Sequence, residues 1–493
     1  MKKLLTTITL SVTMGLSACS QVASVQEANI PNIAKASLKA FYLIRSGVPI
    51  ESKYAGEYAR PLGHADTQVY IHPSAVSEGR PAESVISSPL GWYDAGDYNK
   101  YTVNSAYACG LMLLAYDQAP EYFKKHSVDI PESNNKTADV LDEVMFNLKW
   151  LFTMQDPADG GVYHKLTTPN FEGFVMPKDC HQKRYVVQKS VTGSLDFAAV
   201  MAQAARIYKN NADYPDFSKK AEEAAIQAFE WAEKNPKAFY VQNEMNKKFQ
   251  PAVNTGEYGD GNATDERFWA ATELYLLTGK KNYLEIAKQT APKGMGVPSW
   301  GDVDELGALE WIAKGKGELH DTSMSQLDVL CQQLAKKAEK SPIKSTFGYT
   351  DADYGWGCLA GCCMEGYFLM MGKKYLDKNK TKNYLEMARN NFKFLTGDGP
   401  TGYCFVTAFG KKPAMHPHHR ISAADGIEKP FPGLLVGGPN GGQQDKNDGN
   451  LHYPSDKPAL SYLDEEPSYA SNEIAINWQA SLVAFASLLD AQK

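Results

Sequence analysis

The 493-residue sequence lacks any long run of like charge, and its formal net charge is only −6. A protein that binds nucleic acid or another polyanion needs a concentrated basic surface, so this balance does not favour such partners. A neutral substrate is expected instead. Beyond the N-terminus no apolar segment is long enough to cross a bilayer. With 43% hydrophobic residues, the chain can bury a large globular core.

Cysteine is scarce and irregularly placed, with eight residues in the whole chain. One of them, Cys19, belongs to the N-terminal segment discussed next, which leaves an odd number in the remainder. An odd, unevenly spaced set argues against a disulfide framework, and no pair has the spacing of a structural zinc site. We expect most of these cysteines to be buried as small hydrophobic residues.

The N-terminus resembles a bacterial lipoprotein signal. Two lysines precede an apolar run, 4–16, which is too short to span a membrane. The run leads into Leu-Ser-Ala-Cys, so we predict a signal peptide at 1–18, lipidation of Cys19 and a tether at 19–34. Ser20 is typical of sorting to the outer membrane of a Gram-negative cell. The alternative is an ordinary signal peptide with an incidental cysteine.

Hydrophobic residues recur at spacings of three and four along most of the chain, which predicts helices. Strands are scarce, and no Ser/Pro/Thr-rich linker divides the sequence, so we expect one domain at 35–493. About twelve helices predict a closed all-α toroid of helix pairs, an (α/α)6 barrel; a superhelical array is the alternative, but no motif of fixed period supports it. The predicted helices are 102–118, 137–155, 188–209, 214–234, 263–278, 281–291, 302–314, 323–339, 357–374, 381–396 and 472–490.

The connections between these helices are long and rich in Gly, Pro, Tyr, Trp, Asp and His. Loops of such length in a compact domain are usually functional. If alternate loops emerge at one end of the toroid, they would form the walls of an open cleft. These loops are 50–101, 156–187, 240–262, 341–357 and 397–470.

Two acidic segments, remote in sequence, are the strongest candidates for chemistry. Asp94 and Asp97 stand three residues apart across Gly96, which permits a bend that aims both carboxylates at one point. Two close carboxylates repel, which raises the pKa of one unless hydrogen bonds hold both ionised. The alternative is an acidic helix N-terminus.

Glu473 is placed at the start of the predicted last helix. The helix dipole alone would lower the pKa of an exposed glutamate there, which suits an acid catalyst poorly. Glu473 could protonate a leaving group only if burial or a neighbouring carboxylate outweighed the dipole.

A histidine cluster lies between these acidic segments. His416, His418 and His419 fall within four residues and are followed by Arg420. Three histidines so close in sequence seldom converge on one metal ion without helical or strand spacing. An imidazole and guanidinium platform for sugar hydroxyls is the other interpretation.

Taken together, three segments resemble glycoside hydrolase family 9, the cellulase family of (α/α)6 barrels. The motifs occur in the family's order, and the similarity runs from about residue 35 to the C-terminus. Three matches in order are far more specific than one. The segments are Trp-Tyr-Asp-Ala-Gly-Asp-Tyr at 92–98, the stretch 405–420 ending in Pro-His-His-Arg, and 462–475 around Glu473.

The resemblance implies roles for individual residues. Asp97 matches the catalytic base, Asp94 its partner in holding the attacking water, and Glu473 the acid that protonates the leaving oxygen. Such enzymes invert the anomeric centre, which requires room for a water between the carboxylates and the sugar. The matched substrate-contacting residues are His418, Arg420, Tyr469 and His164.

The resemblance also bears on metals. Asp265 and Glu266 are similar to the family's calcium-binding pair, and oxygen ligands from a loop suit calcium. The alternative is an ordinary acidic helix N-terminus. Relatives with structural zinc have Cys and His where this chain has Ser46, Gly63-His64 and Tyr93, so no zinc is expected.

The sequence therefore predicts a monomeric β-1,4-glucanase. Trp300, Trp356 and Tyr258 are offered as stacking platforms from their loop positions, with core packing as the alternative. Because the tether runs directly into the barrel, cello-oligosaccharides or amorphous glucan are expected rather than crystalline cellulose. Two alternatives stay open: a related β-glycosidase acting on mixed-linkage glucan, glucomannan, xyloglucan or a β-glucosaminide, and a non-catalytic lipoprotein that binds oligosaccharides.

Overall fold

A computed structural model describes residues 26–448 and 450–492. In this part of the chain, twelve helices of ten or more residues succeed one another. We number them in chain order: α1 Ile30–Leu43, α2 Thr102–Gln118, α3 Asp139–Met154, α4 Val191–Ile207, α5 Phe217–Lys234, α6 Thr264–Thr278, α7 Lys281–Thr290, α8 Asp304–Lys314, α9 Glu318–Lys340, α10 Cys358–Tyr375, α11 Tyr384–Lys393 and α12 Ile476–Asp490.

Even-numbered helices form an inner ring and odd-numbered helices an outer ring. Helix α2 packs against α4 and α12, while α6 packs against α4 and α8, and the outer helices cover these contacts from outside. The inner helices are largely buried, and α12, the most apolar of them, is buried along almost its whole length. A helix that is hydrophobic all round belongs in a core. The predicted (α/α)6 barrel is confirmed.

The inner helices approach closely where they carry glycine. A Cβ at Gly110 of α2 would lie 2.5 Å from the ring of Trp269 on α6, and one at Gly366 of α10 would lie 2.4 Å from the ring of Phe485 on α12. Large rings on one helix thus fill the space left by missing side chains on the next. The glycines fix the spacing of the ring.

A small sheet lies beside the barrel, in the order β2-β1-β5-β4-β3. Strands β1 and β5 are parallel, and the other pairs are antiparallel. Strand β3 leads directly into α2, so the sheet fixes the segment before that helix. The strands are β1 Val69–Ile71, β2 Val85–Ile86, β3 Lys100–Tyr101, β4 Lys165–Thr167 and β5 Tyr185–Val186. Shorter helices are Ser52–Ala55, Pro120–Lys125, Gln242–Lys248, Arg420–Ala424 and Tyr469–Asn472.

The domain begins earlier than the sequence suggested. Helix α1 starts at Ile30, and Ile33 and Ala34 are buried in the core, so the prediction of a tether as far as residue 34 was wrong. The small and polar residues before Ile33 concealed the start of this helix, which Asn29 caps and Pro31 favours. Residues 1–25, with the predicted signal peptide and Cys19, lie outside the described residues. Among the described helices, none combines the length and the apolarity needed to cross a membrane.

All seven cysteines of the described chain are unpaired. Five of them are buried, as expected for small hydrophobic residues. The fold therefore depends on packing rather than on disulfide bonds.

A buried ion pair ties α1 to α3. Arg45, just after α1, contacts Glu143 of α3 at 2.8 Å and Glu132 at 3.0 Å. The indole nitrogen of Trp92 donates to the same Glu143 at 2.8 Å, and the Trp92 amide donates to Asn147. These bonds hold the start of the segment that carries Asp94.

Replacing Arg45 by alanine is expected to destabilise the fold strongly, because Glu143 would be left buried with no cation. Breaking one side of a buried pair typically costs about 3–5 kcal/mol. Denaturant titration followed by circular dichroism measures this cost. The exposed pair Lys124–Glu121 supplies the control, and Lys124→Ala should leave the midpoint unchanged. An equal effect of both variants would contradict the assigned role of Arg45.

Candidate active site

One cavity of about 800 Å³ opens at the end of the barrel where the inner helices begin. Its lining comes from the segments that precede α2, α6, α8, α10 and α12, together with Phe171 and the 418–420 segment. Asp94, Asp97 and Glu473 all line it. The two remote acidic segments therefore meet, as the sequence predicted.

Asp94 and Asp97 are held by different sets of donors. Asp94 accepts hydrogen bonds on both oxygens, from the Asn104 amide at 2.7 Å and the Tyr258 hydroxyl at 2.6 Å. Asp97 accepts from Asn99 and from the Tyr101 hydroxyl at 3.1 Å, all on Oδ2. Among the described residues none donates to its Oδ1. Of the two aspartates, Asp97 is thus the one with an oxygen that no described residue donates to, and this oxygen is available for a water.

Glu473 lies before the last helix, not on it. Helix α12 starts at Ile476, and the backbone of Glu473 is extended and bridged to His418. The predicted start at 472 was therefore wrong, and so was the dipole argument that depended on it. Its carbonyl accepts from the Gly437 amide at 2.8 Å. This pairing, rather than a helix terminus, sets the direction of the side chain.

Gly96 brings the two acidic segments into contact. A Cβ there would lie 2.3 Å from the His418 carbonyl oxygen and 3.1 Å from Oε1 of Glu473. The Gly96 amide donates to that same Oε1 at 3.3 Å. Since no side chain fits, glycine is required by this close approach.

Burial and the neighbouring charge of Asp97 raise the pKa values of Glu473 and Asp94. Burial, followed by the charge of Asp97, raises the pKa of Glu473 to about 8. The same two causes raise the pKa of Asp94. Glu473 is therefore protonated at neutral pH, which is the state that an acid catalyst needs.

His418, Arg420 and Tyr469 line the same cavity, as predicted. Nδ1 of His418 lies 2.8 Å from the Glu466 carbonyl oxygen, which fixes the ring. Arg420 donates to the carbonyl oxygens of Gly96 and Glu172, each at 2.8 Å. Its guanidinium therefore holds the segment between the two aspartates, beyond the sugar-contacting role that the resemblance implied.

His164 was wrongly predicted to contact substrate. Its ring is fully buried and does not line the cavity. One ring nitrogen lies 2.9 Å from the Ser190 hydroxyl and the other 2.9 Å from the Glu257 carbonyl oxygen. Both nitrogens are occupied by the protein, so His164 supports the loop that carries Tyr258.

The three aromatic residues named from loop position all line the cavity. The rings of Tyr258 and Trp300 contact each other at 4.9 Å on one wall. Trp356 is 47% exposed and packs on Tyr469 at 5.5 Å, so one ring face is free. Tyr258 is engaged with Asp94 and is poorly suited to be a stacking platform, whereas Trp356 is well suited.

Asp265 and Glu266 belong to a larger group of acids. Oxygens of Asp260, Asp265 and Glu266 lie within 4.8 Å of one another. Both oxygens of the fully buried Asp196 on α4, whose charge interacts with this group, lack hydrogen-bond partners, as does Oε2 of Glu266. Unpaired buried carboxylate oxygens are costly unless a cation binds them. These residues fit a hard cation such as calcium.

The equivalents of the zinc ligands do not form a zinc-binding donor set. Nδ1 of His64 lies 2.9 Å from the Tyr93 hydroxyl, and burial lowers the pKa of His64 to about 2. A structural zinc site needs four nitrogen or sulfur ligands, and the positions of Ser46, His64 and Tyr93 supply one. That zinc is not bound stays a prediction.

Sequence reasoning missed several residues of this region. Asn104 and Tyr101 hold the aspartates, and Trp478 and Phe171 line the cavity. Asp196 could have been found, because it is the one acidic residue in the mostly apolar sequence of α4. Tyr101 and Asn104 lie only four and ten residues from the aspartates that they bind, but side chains of these types carry no distinct signal, and Trp478 and Phe171 reach the cavity from distant parts of the chain.

Comparison with known proteins identifies the family to which this chain belongs. The sequence model of glycosyl hydrolase family 9 matches residues 31–486. The chain belongs to glycosyl hydrolase family 9. It is therefore a glycoside hydrolase, and the alternative of a non-catalytic binding protein is set aside.

Individual members of the family are similar to this chain in sequence and in structure. The chain is 52% identical to the xyloglucan-specific endo-beta-1,4-glucanase BoGH9A of Bacteroides ovatus, over 95% of this chain and 80% of that protein. It is 31% identical to endoglucanase D of Acetivibrio thermocellus, over 91% and 68%. The solved Bacteroides ovatus GH9 structure superposes with a TM-score of 0.89 at 50% identity, over 94% and 84% of the two chains. Hydrolysis of β-1,4-glucan follows as the activity class.

Proposed function

We propose that this protein is an endo-acting, inverting hydrolase of xyloglucan. The observation that carries the activity is the meeting of Glu473 with Asp94 and Asp97 in one open cavity. The substrate rests on the similarity to a xyloglucan-specific relative. An unbranched cellulose-like glucan, which the sequence analysis favoured, is the second candidate.

In the proposed mechanism, Glu473 donates a proton to the glycosidic oxygen as the bond to the anomeric carbon breaks. A water bound at Oδ1 of Asp97 attacks the opposite face of that carbon and gives its proton to Asp97. Asp94, held by Asn104 and Tyr258, accepts a second hydrogen bond from the water when ionised. Oδ1 of Asp97 is free of protein donors, which suits this role.

The acid assignment predicts a pH dependence. A carboxyl group donates a proton only while protonated, and the pKa of Glu473 is about 8, so kcat should fall as the pH rises through that value. Glu473→Gln should lower kcat about 10²–10⁴-fold and remove this alkaline limb. Glu465→Gln is the matched control, because Glu465 is exposed in the same segment. Full activity of Glu473→Gln would show that the acid is misassigned.

The substrate and stereochemistry can be tested together. Xyloglucan, carboxymethylcellulose, mixed-linkage glucan, glucomannan and β-glucosaminide oligomers are each incubated with the enzyme, and products are sized by chromatography. We expect a rapid fall in xyloglucan chain length, which indicates internal cutting. Proton NMR of fresh products should show the α-anomer first. Preference for unbranched glucan would refute the substrate, and initial β-anomer would refute inversion.

We propose further that calcium binds at Asp260, Asp265 and Glu266. The buried carboxylate of Asp196, whose charge interacts with this group, adds to the negative charge of the site. Calcium would supply positive charge that stabilises the loop before α6, which carries Tyr258; it takes no part in bond cleavage. The support is the set of buried, unpartnered carboxylate oxygens. Export and lipidation at Cys19 stay predictions from the sequence.

Calcium removal is expected to lower the melting temperature. A ligand at about a hundred times its Kd stabilises the folded state by about 2.7 kcal/mol. Differential scanning fluorimetry with EDTA, then with excess calcium, measures the loss and its recovery. Asp265→Asn should abolish the calcium response, whereas Asp456→Asn, at an exposed position, should retain it. A melting temperature insensitive to chelation would contradict the site.

A further inference from the structure

An exposed apolar loop borders the cavity and has no role in the mechanism above. This Phe171 loop, residues 168–175, contains Phe171, Phe174 and Val175, which are 45%, 38% and 38% exposed. Single exposed apolar residues are common, but three in one short loop form a patch, and such patches mark binding sites. Phe171 itself lines the cavity.

The loop is rigidly fixed to the catalytic segment. Arg420 donates to the Glu172 carbonyl oxygen, and the Tyr98 hydroxyl donates to that of Val175 at 2.7 Å. At the start of the loop, the Thr168 amide donates to Asn99, the residue that also binds Asp97. Binding to a fixed surface avoids the cost of ordering it. Because the loop backbone is anchored on both sides of the two phenylalanines, the fold holds these side chains in their exposed positions.

Arg420 also fixes the two rings. Its guanidinium carbon lies 5.4 Å from the ring centre of Phe171 and 5.2 Å from that of Phe174. The edge of the His418 ring packs against Phe174 at 5.2 Å. The cation occupies space beside both rings, which leaves their remaining surface to solvent and, for Phe171, to the cavity.

The loop extends an aromatic series that crosses the cavity. Phe174 contacts His418, His418 contacts Tyr469 at 6.0 Å, and Tyr469 contacts Trp356 at 5.5 Å. Exposed rings thus stand at both ends of the series, with His418, the bridging partner of Glu473, between them. Flat apolar rings suit the C–H faces of pyranose sugars, which are apolar while their edges carry hydroxyls.

We propose that Phe171, braced by Arg420 and Phe174, is a binding platform for a backbone pyranose ring of the glucan, at the end of the cleft opposite Trp356. The glucan is then held on both sides of the bond that is cut, which is the arrangement that internal cleavage needs. This inference rests on the β-1,4-glucan activity and is independent of whether the backbone is branched.

The test uses unbranched cello-oligosaccharides of two to six units, so that it does not depend on xyloglucan. Phe171→Ala should raise KM for the hexaose about 5- to 30-fold more than KM for the shortest oligosaccharide that is cleaved, because only longer chains reach the platform. Phe171→Trp should restore the KM of the hexaose. Tyr349→Ala is the matched control, since Tyr349 is 44% exposed and does not line the cavity.

Calorimetric titration of the hexaose into Glu473→Gln, with and without Phe171→Ala, separates binding from turnover. A Kd that weakens by a similar factor supports the platform. An equal rise of KM at every chain length, or a loss of kcat with unchanged hexaose affinity, would overturn it, because either result would mean that Phe171 only supports Arg420. If the enzyme does not cleave xyloglucan but Phe171→Ala still shows the length-dependent effect, only the substrate proposal is refuted and the platform stands.

Discussion

The burial of three carboxyl groups in one cavity, together with the repulsion between them, governs the design of this site. Asp94, Asp97 and Glu473 are held by hydroxyl and amide donors rather than by cations. Arg420, the nearest guanidinium, donates instead to backbone carbonyls. A neutralising ion pair would remove the proton that catalysis needs, so neutral donors orient the acids and leave their repulsion in place. Burial, followed by the charge of Asp97, raises the pKa of Glu473 to about 8 and so keeps it protonated in neutral solution.

The barrel supplies this arrangement by a simple rule. Every inner helix begins at the same end, and the residues just before five of those starts line the cavity. The helices are fixed by dense apolar packing, while the loops before them are free to carry polar groups. Chemistry and stability are thereby assigned to different parts of the same polypeptide.

Helical periodicity and three ordered motifs were enough to predict the barrel and its acidic centre. The sequence could not show interactions between distant residues. His164 lies in a motif that resembles a substrate contact, but its partners, Ser190 and Glu257, come from elsewhere in the chain and bury it. Glu473 looked like a helix start because periodicity cannot distinguish the last extended residues from the first helical ones. The sequence of its helix marks Asp196 as an unusual buried acid, but only the structure shows that its charge interacts with Asp260 and Asp265.

The ring closes where α12 packs against α1 and α2, at the two ends of the domain. Asp94 stands before the second helix and Glu473 before the last, and the Ile476 amide joins them by donating to the Asp94 carbonyl oxygen at 2.8 Å. A chain that ended before α12 would keep all three acids but would lose the helix whose first amide joins the Glu473 segment to Asp94. The two parts of the catalytic centre are therefore joined at the seam where the first and last helices of the barrel pack together.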